Sequence, residues 1–298
     1  MRPDDAVKQA SAYLRLLLAR PGDYRTAWER HVEPGEAGGI SYAGVAGVLR
    51  AARPATDSDR VARQSLEGTA LAAEHLELFV EAFGIGSRHA QRLRKLHGGS
   101  GAVRVLDSAG RTEQLPVVPP GPARYETIAL HETHTIGPDG RPAEHETIQT
   151  IRALVDGLDR YPYLFDTDQL AVDVVRGGRL DPGMYRINDR FHGVDLMLEP
   201  PLGRGESTLL HLRTTFAYRR PPPPLLRRGV RRSVEDLTIW VRFHPRRVPR
   251  RVWQARWEVD EPTRLLARHQ VELDSELSVR ARFGPVRAAL LGFSWDWD

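Results

Sequence analysis

Apolar residues recur every three or four positions through the first hundred residues, and from Ala102 onward they alternate instead. The first period is that of amphipathic helices. Between Asp4 and Ala19, Val7, Ala10, Leu14, Leu17 and Leu18 fall on one face, and Pro21-Gly22 closes the segment. A short helix from Tyr24 to about His31 is expected next, ending in the loop Glu33-Pro-Gly-Glu-Ala-Gly-Gly39. Ser41 suits the N-cap of a helix carrying Val45, Val48, Leu49 and Ala52, which stops before Pro54. Asp57 or Ser58 caps another, with Val61, Ala62 and Leu66 inward and Gly68 at its end. Helices over Ala72–Phe83 and Ser87–Leu96 complete the set, with Gly84 and Gly98-Gly99 as stops.

Beyond Ala102 the alternation predicts strands. Ala102–Leu106 and Arg111–Val118 read as a hairpin around Asp107-Ser-Ala-Gly110, followed by the linker Val117-Val-Pro-Pro-Gly-Pro122. Tyr125–Ile136 and Glu144–Val155 flank Gly137-Pro-Asp-Gly140, a hairpin connection. Further strands are expected at Leu170–Val175, Val194–Leu198, Ser207–Tyr218, Val234–Phe243, Arg251–Glu258, Val271–Phe283 and Ala288–Trp297. With no helical pattern between them, these favour an antiparallel sandwich or barrel over a βαβ fold. The expected class is α+β: a helical domain over 1–100, a hairpin and Pro/Gly linker over 101–123, and a β domain over 124–298. No internal repeat is visible.

At 298 residues, with 41% hydrophobic and 28% charged, the chain can bury two cores. It has no cysteine, which removes disulfides, thiolate metal sites and cysteine nucleophiles. No apolar run is long enough to span a membrane and no signal-peptide pattern opens the chain, so a cytoplasmic protein is expected. The pI near 9.6 suggests nucleic acid, yet the net charge is only +4. Lys8 and Lys95 are the only lysines, so nearly every base is arginine, as in a GC-rich bacterial genome, and its high pKa lifts the pI alone.

Catalytic signals are weak. His131-Glu-Thr-His134 lacks the four-residue spacing of a zinc-protease helix, and strand alternation puts the two histidines on opposite faces. His145, across the hairpin, could pair with one of them, but a plain polar hairpin is the simpler reading. Gly84-Ile-Gly86 and Gly98-Gly-Ser-Gly101 read as helix caps rather than phosphate loops, and Gly203-Arg-Gly-Glu-Ser207 is no nucleophile elbow. Asp166, Asp168, Asp173 and Asp181 read as solvated loop acids. No enzyme, cofactor or metal site is therefore assigned. Phe293, Trp295 and Trp297 share one face of the last strand, as Trp253 and Trp257 share one of theirs, and core packing is favoured over a sugar platform. The Pro-rich stretch from Tyr218 to Arg232 reads as a solvated spacer whose Arg219, Arg220, Arg227, Arg228, Arg231 and Arg232 are candidates for a partner.

One resemblance carries function. Val45-Ala-Gly-Val-Leu49, then Asp57-Ser-Asp-Arg-Val-Ala-Arg-Gln-Ser-Leu-Glu-Gly68, then Leu71, Leu76 and Phe79-Val-Glu-Ala-Phe-Gly-Ile85 make residues 41–85 resemble the helix-turn-helix family of Cro/C1-type (XRE) repressors, as met in actinobacterial regulators. The resemblance covers about a sixth of the chain. It implies a recognition helix whose Ser58, Arg60, Arg63 and Gln64 reach base edges. The turn containing Pro54 is longer than the family's, and Asp57 and Asp59 lie where phosphates would approach. The expected function is a DNA-binding transcriptional regulator whose β domain senses a ligand or mediates self-association. The alternative is an adaptor that binds a protein and not DNA, using the β domain and the Arg/Pro-rich loop. The oligomeric state is not written in the sequence.

Overall fold

The computed structural model describes residues 2–33, 39–107, 115–118, 121–167, 169–189, 191–218 and 221–297. Six helices come first: α1 (Pro3–Ala19), α2 (Asp23–Glu29), α3 (Tyr42–Ala52), α4 (Ser58–Glu67), α5 (Ala73–Ala82) and α6 (Ser87–His97). The strands are β1 (Val103–Asp107), β2 (Tyr125–Ile136), β3 (Pro142–Ala153), β4 (Leu158–Phe165), β5 (Gln169–Arg176), β6 (Arg179–Arg186), β7 (His192–Leu202), β8 (Ser207–Phe216), β9 (Leu225–Val234), β10 (Asp236–Arg242), β11 (Arg251–Trp257), β12 (Leu265–Val271), β13 (Ser278–Phe283) and β14 (Val286–Asp296). The chain is α+β, a helical part followed by a larger β part. It divides into two compact units, 1–107 with 169–173, and 108–168 with 174–298.

The helical unit forms where its signals lie. The Ser41 hydroxyl oxygen accepts from the Gly44 N–H at 3.1 Å, and Asp57 Oδ1 accepts from the Arg60 N–H at 3.3 Å, so each starts its helix as an N-cap. Gly68 ends α4 with φ 77°, a left-handed cap that suits glycine. Ala10, Tyr13, Leu14, Leu17, Trp28, Leu49, Leu66 and Phe79 are buried. Gly44 lets α2 approach α3 closely: a Cβ there would sit 2.7 Å from the Trp28 carbonyl oxygen.

The unit also takes in strand residues. β1 pairs antiparallel with Gln169–Asp173 of β5. Gln9 fixes β1 from α1, its Oε1 accepting from the Val105 N–H at 2.7 Å and its Nε2 donating to the Val105 carbonyl at 3.3 Å. Residues 108–114 and 119–120 lie outside the described set, and with them the expected turn, most of the expected second strand and part of the linker. Asp173 is not a solvated acid: it is buried, 3.4 Å from Nε of the equally buried Arg92 and 3.1 Å from Lys95 Nζ.

In the β unit the strands β8-β3-β2-β10-β13 run side by side in that order, with β2 and β10 parallel and the other pairs antiparallel. A second sheet has the order β12-β11-β14-β9 and a third β4-β7-β6. The first two face each other across a shared core. Leu130, Ile136, Leu237, Ile239, Val241 and Val279 come from one side, and Val230, Val252, Leu291, Phe293 and Trp295 from the other. The core role expected for Phe293 and Trp295 therefore holds. Trp253 and Trp257 occupy the other face of β11, buried beneath arginines: Arg268 and Arg251 lie 4.7 and 5.2 Å from the Trp253 ring, and Arg227 5.8 Å from the Trp257 ring. The expected strand Val271–Phe283 is broken by the turn around Asp274–Leu277, and β4, β6, β9 and β12 were not foreseen.

Candidate nucleic-acid interface and a buried polar network

The helix-turn-helix-like segment is α3, the link Arg53–Asp57 and α4. Val61, Ala62, Ser65 and Leu66 bury one face of α4, which leaves Asp57, Asp59, Arg60, Arg63 and Glu67 exposed on the other. Arg60 and Arg63 stand one turn apart on that face. Arg60 Nε is 3.1 Å from Asp57 Oδ2, while no ion pair or hydrogen bond is found for the Arg63 guanidinium among the described residues. Ser58 leaves the expected set, because it is buried and its hydroxyl donates to the Thr56 carbonyl at 3.3 Å. Gln64 is half-buried. Arg50 on α3 meets Asp59 on this helix at 2.6 Å; elsewhere in the unit Arg53 meets Glu81 at 3.2 Å and Arg94 meets Glu77 at 2.6 Å. Exposed pairs of this kind contribute roughly 0–1 kcal/mol each, so phosphates can compete for the arginines.

The proline run 221–224 lies outside any strand and is mostly exposed, but from Leu225 on the arginine-rich segment is a strand rather than a spacer. Arg219 and Arg220 lie outside the described residues, whereas Arg227, Arg228, Arg231 and Arg232 belong to β9, which pairs with β14. Of these, Arg232 is exposed and Arg227 covers Trp257. Arg228 points inward, with Nη1 3.1 Å from Glu132 Oε1.

Glu132 is the centre of a polar network inside the β unit. Alternation along β2 puts Leu130, Glu132, His134 and Ile136 on the core face and leaves His131 on the other. Register with β3 sets His134 opposite His145, Glu132 opposite Thr147 and Leu130 opposite Gln149. The two imidazoles stack with centroids 4.0 Å apart and 15° between planes. His145 Nε2 lies 3.4 Å from Glu132 Oε1 and 3.1 Å from the Thr147 hydroxyl, and His134 Nε2 lies 3.9 Å from Glu132 Oε2. From β4, the Tyr161 hydroxyl donates to Gln149 Oε1 at 3.0 Å, and Tyr163 is 2.6 Å from the Thr214 hydroxyl.

Burial opposes the charge on Glu132, but the Arg228 guanidinium and the two histidines outweigh it and hold the carboxyl well below the usual range. Burial, joined by the neighbouring His145, pushes His134 down to about 4, so its ring is neutral near pH 7. Burial also raises the Tyr161 and Tyr163 hydroxyls, keeping them protonated. Sequence spacing set His145 across from one of His131 and His134 without deciding which, and missed Glu132, although the i, i+2 alternation with His134 was there to be used. Arg228 had no such signal, since it lies in a strand that read as a loop.

No family model and no curated protein matches the chain. Among solved structures it is similar to a "putative protease" from Parabacteroides distasonis, with a TM-score of 0.40 and 10% identity over 58% of this chain. The match spans 41% of that neighbour's length, and a likeness at this level says nothing of activity.

Proposed function

We propose that the chain is a DNA-binding transcriptional regulator in which α4 enters the major groove and the β unit senses a ligand or mediates self-association. The exposed pair Arg60 and Arg63, one turn apart at the start of a capped helix, is the observation that supports this reading. Arginine meets guanine O6 and N7 with two parallel bonds, each such contact being worth roughly 1–3 kcal/mol. Arg63 carries more of the recognition, because Arg60 must first leave Asp57. The test is fluorescence anisotropy on fragments of the native promoter across a salt series. Binding that weakens with salt is expected, and Arg63→Ala should lower affinity by about 5- to 150-fold. No binding at low salt, or unchanged binding by Arg60→Ala/Arg63→Ala, refutes it.

A second reading, a helical module for protein contacts, draws support from the internal pairing of Arg50, Arg53, Arg60 and Arg94 with carboxylates. It predicts a co-purifying protein whose capture is lost with Arg63→Glu while the chain leaves DNA alone.

A further inference from the structure

We propose that Glu132, His134 and His145 hold a divalent transition-metal ion inside the β unit, a site independent of whether α4 binds DNA. Two imidazoles and a carboxylate are a donor set for zinc and its first-row neighbours, and three protein ligands leave a coordination position open. One ligand atom from each residue lies within 4.8 Å of the others. Ligands about 2.0–2.2 Å from a tetrahedral zinc stand roughly 3.3–3.6 Å apart, so side-chain shifts of about an ångström or less close the site.

Two of the three donors lack a directed hydrogen bond. Glu132 Oε1 and His134 Nε2 are buried, and neither has a hydrogen-bond partner. Buried polar atoms of this kind cost about 1–3 kcal/mol each when left unpaired. The ion pair with Arg228 balances the charge of Glu132 without giving Oε1 a directed hydrogen bond, and it offers nothing to His134 Nε2. A metal ion satisfies both atoms at once. His134 and His145 are directly opposed across the β2/β3 ladder, so turning their side chains out of the present stack, 4.0 Å between centroids, aims both imidazoles at one ion without moving the backbone.

The surroundings favour a defined site over casual adsorption. Glu132 is 3% exposed and comes from the middle of a strand paired on both sides. Phe216 stacks on the His145 ring at 6.3 Å between centroids, while the Thr147 hydroxyl, 3.1 Å from His145 Nε2, gives up that nitrogen when the ion binds. The cationic Arg228 opposes entry of a bare dication, so the fourth ligand is expected to be an anion, hydroxide or a small oxyanion, placed between metal and guanidinium.

The test uses Co2+ as a probe on the full chain freed of metal by chelation, with absorption spectroscopy and calorimetry. One equivalent of Co2+ is expected to bind with visible d–d bands of low-symmetry coordination. His134→Ala and His145→Ala should each weaken binding by more than about a hundredfold, beyond the loss seen for outer-shell changes. His131→Ala, on the other face of β2, should leave it unchanged. Glu132→Gln keeps the shape and should abolish the bands, with circular dichroism confirming the fold. Absence of saturable 1:1 binding in the native chain overturns the proposal, as does equal binding by a folded His134→Ala chain or equal loss in His131→Ala.

Discussion

Replacing Asp173 by alanine removes a counter-charge that two basic groups share. Its carboxylate lies 3.4 Å from Arg92 Nε and 3.1 Å from Lys95 Nζ. Lys95 is a third exposed and can turn to water, whereas Arg92 is 2% exposed and cannot. Removing one partner of a buried ion pair costs about 3–5 kcal/mol. The Tyr13 hydroxyl, 3.4 Å from Arg92 Nη1, still accepts from the guanidinium, which places the expected loss near the lower bound, about 3 kcal/mol. For a unit of this size that corresponds to a fall in Tm of roughly 10–15 °C. Thermal unfolding followed at 222 nm, where the helices dominate, measures it. Arg92→Met with Asp173→Leu removes both charges and should fold within about 1 kcal/mol of the native chain. A loss under about 1 kcal/mol for Asp173→Ala alone, or a double variant as damaged as the single one, would refute the assignment of the pair as a buried, mutually dependent unit.

Other outcomes follow from the same geometry. Arg228→Met leaves Glu132 buried without its ion-pair partner and should destabilise the β unit by about 3 kcal/mol in urea unfolding, with Co2+ restoring part of the loss. Gly44→Ala pushes a methyl group against the Trp28 carbonyl and should cost about 1–3 kcal/mol by the same assay. Asp274 accepts from the Ser278 hydroxyl at 2.6 Å and from the Ser278 and Glu276 N–H groups, and these bonds hold its carboxyl below the ordinary value. Because the folded pKa is the lower one, its contribution is complete above about pH 4, the unfolded value, and fades as pH falls through the folded pKa. The stability difference between native chain and Asp274→Ala should therefore shrink on acidification below pH 4, and a difference that stays constant to pH 2 would contradict it.

Local signals carried the helical half. Ser41, Asp57 and Gly68 are capping residues, and a cap acts within one turn of chain, so the boundaries of α3 and α4 were legible. The β2/β3 hairpin was legible for a similar reason, its turn lying between two alternating runs. Strand β9 was not, because Leu225-Leu-Arg-Arg-Gly-Val-Arg-Arg232 shows no clean alternation, and its pairing comes from β14, some sixty residues later. Arg228 was lost with it. Asp173 failed differently: its partners lie about eighty residues earlier on α6, and no local pattern distinguishes a paired acid from a solvated one. The candidate recognition face was half legible. Of the side chains that the resemblance implied to be exposed, Arg60 and Arg63 are, while Ser58 is buried and spent on the Thr56 carbonyl.

Hydroxyl-radical footprinting of the full chain on DNA from upstream of its own coding sequence tests the regulator proposal most directly. A protected stretch of about one helical turn per half-site is expected at low salt, vanishing for Arg60→Ala/Arg63→Ala while the fold is retained. Uniform cleavage with the native chain, or identical protection by the double variant, would contradict it.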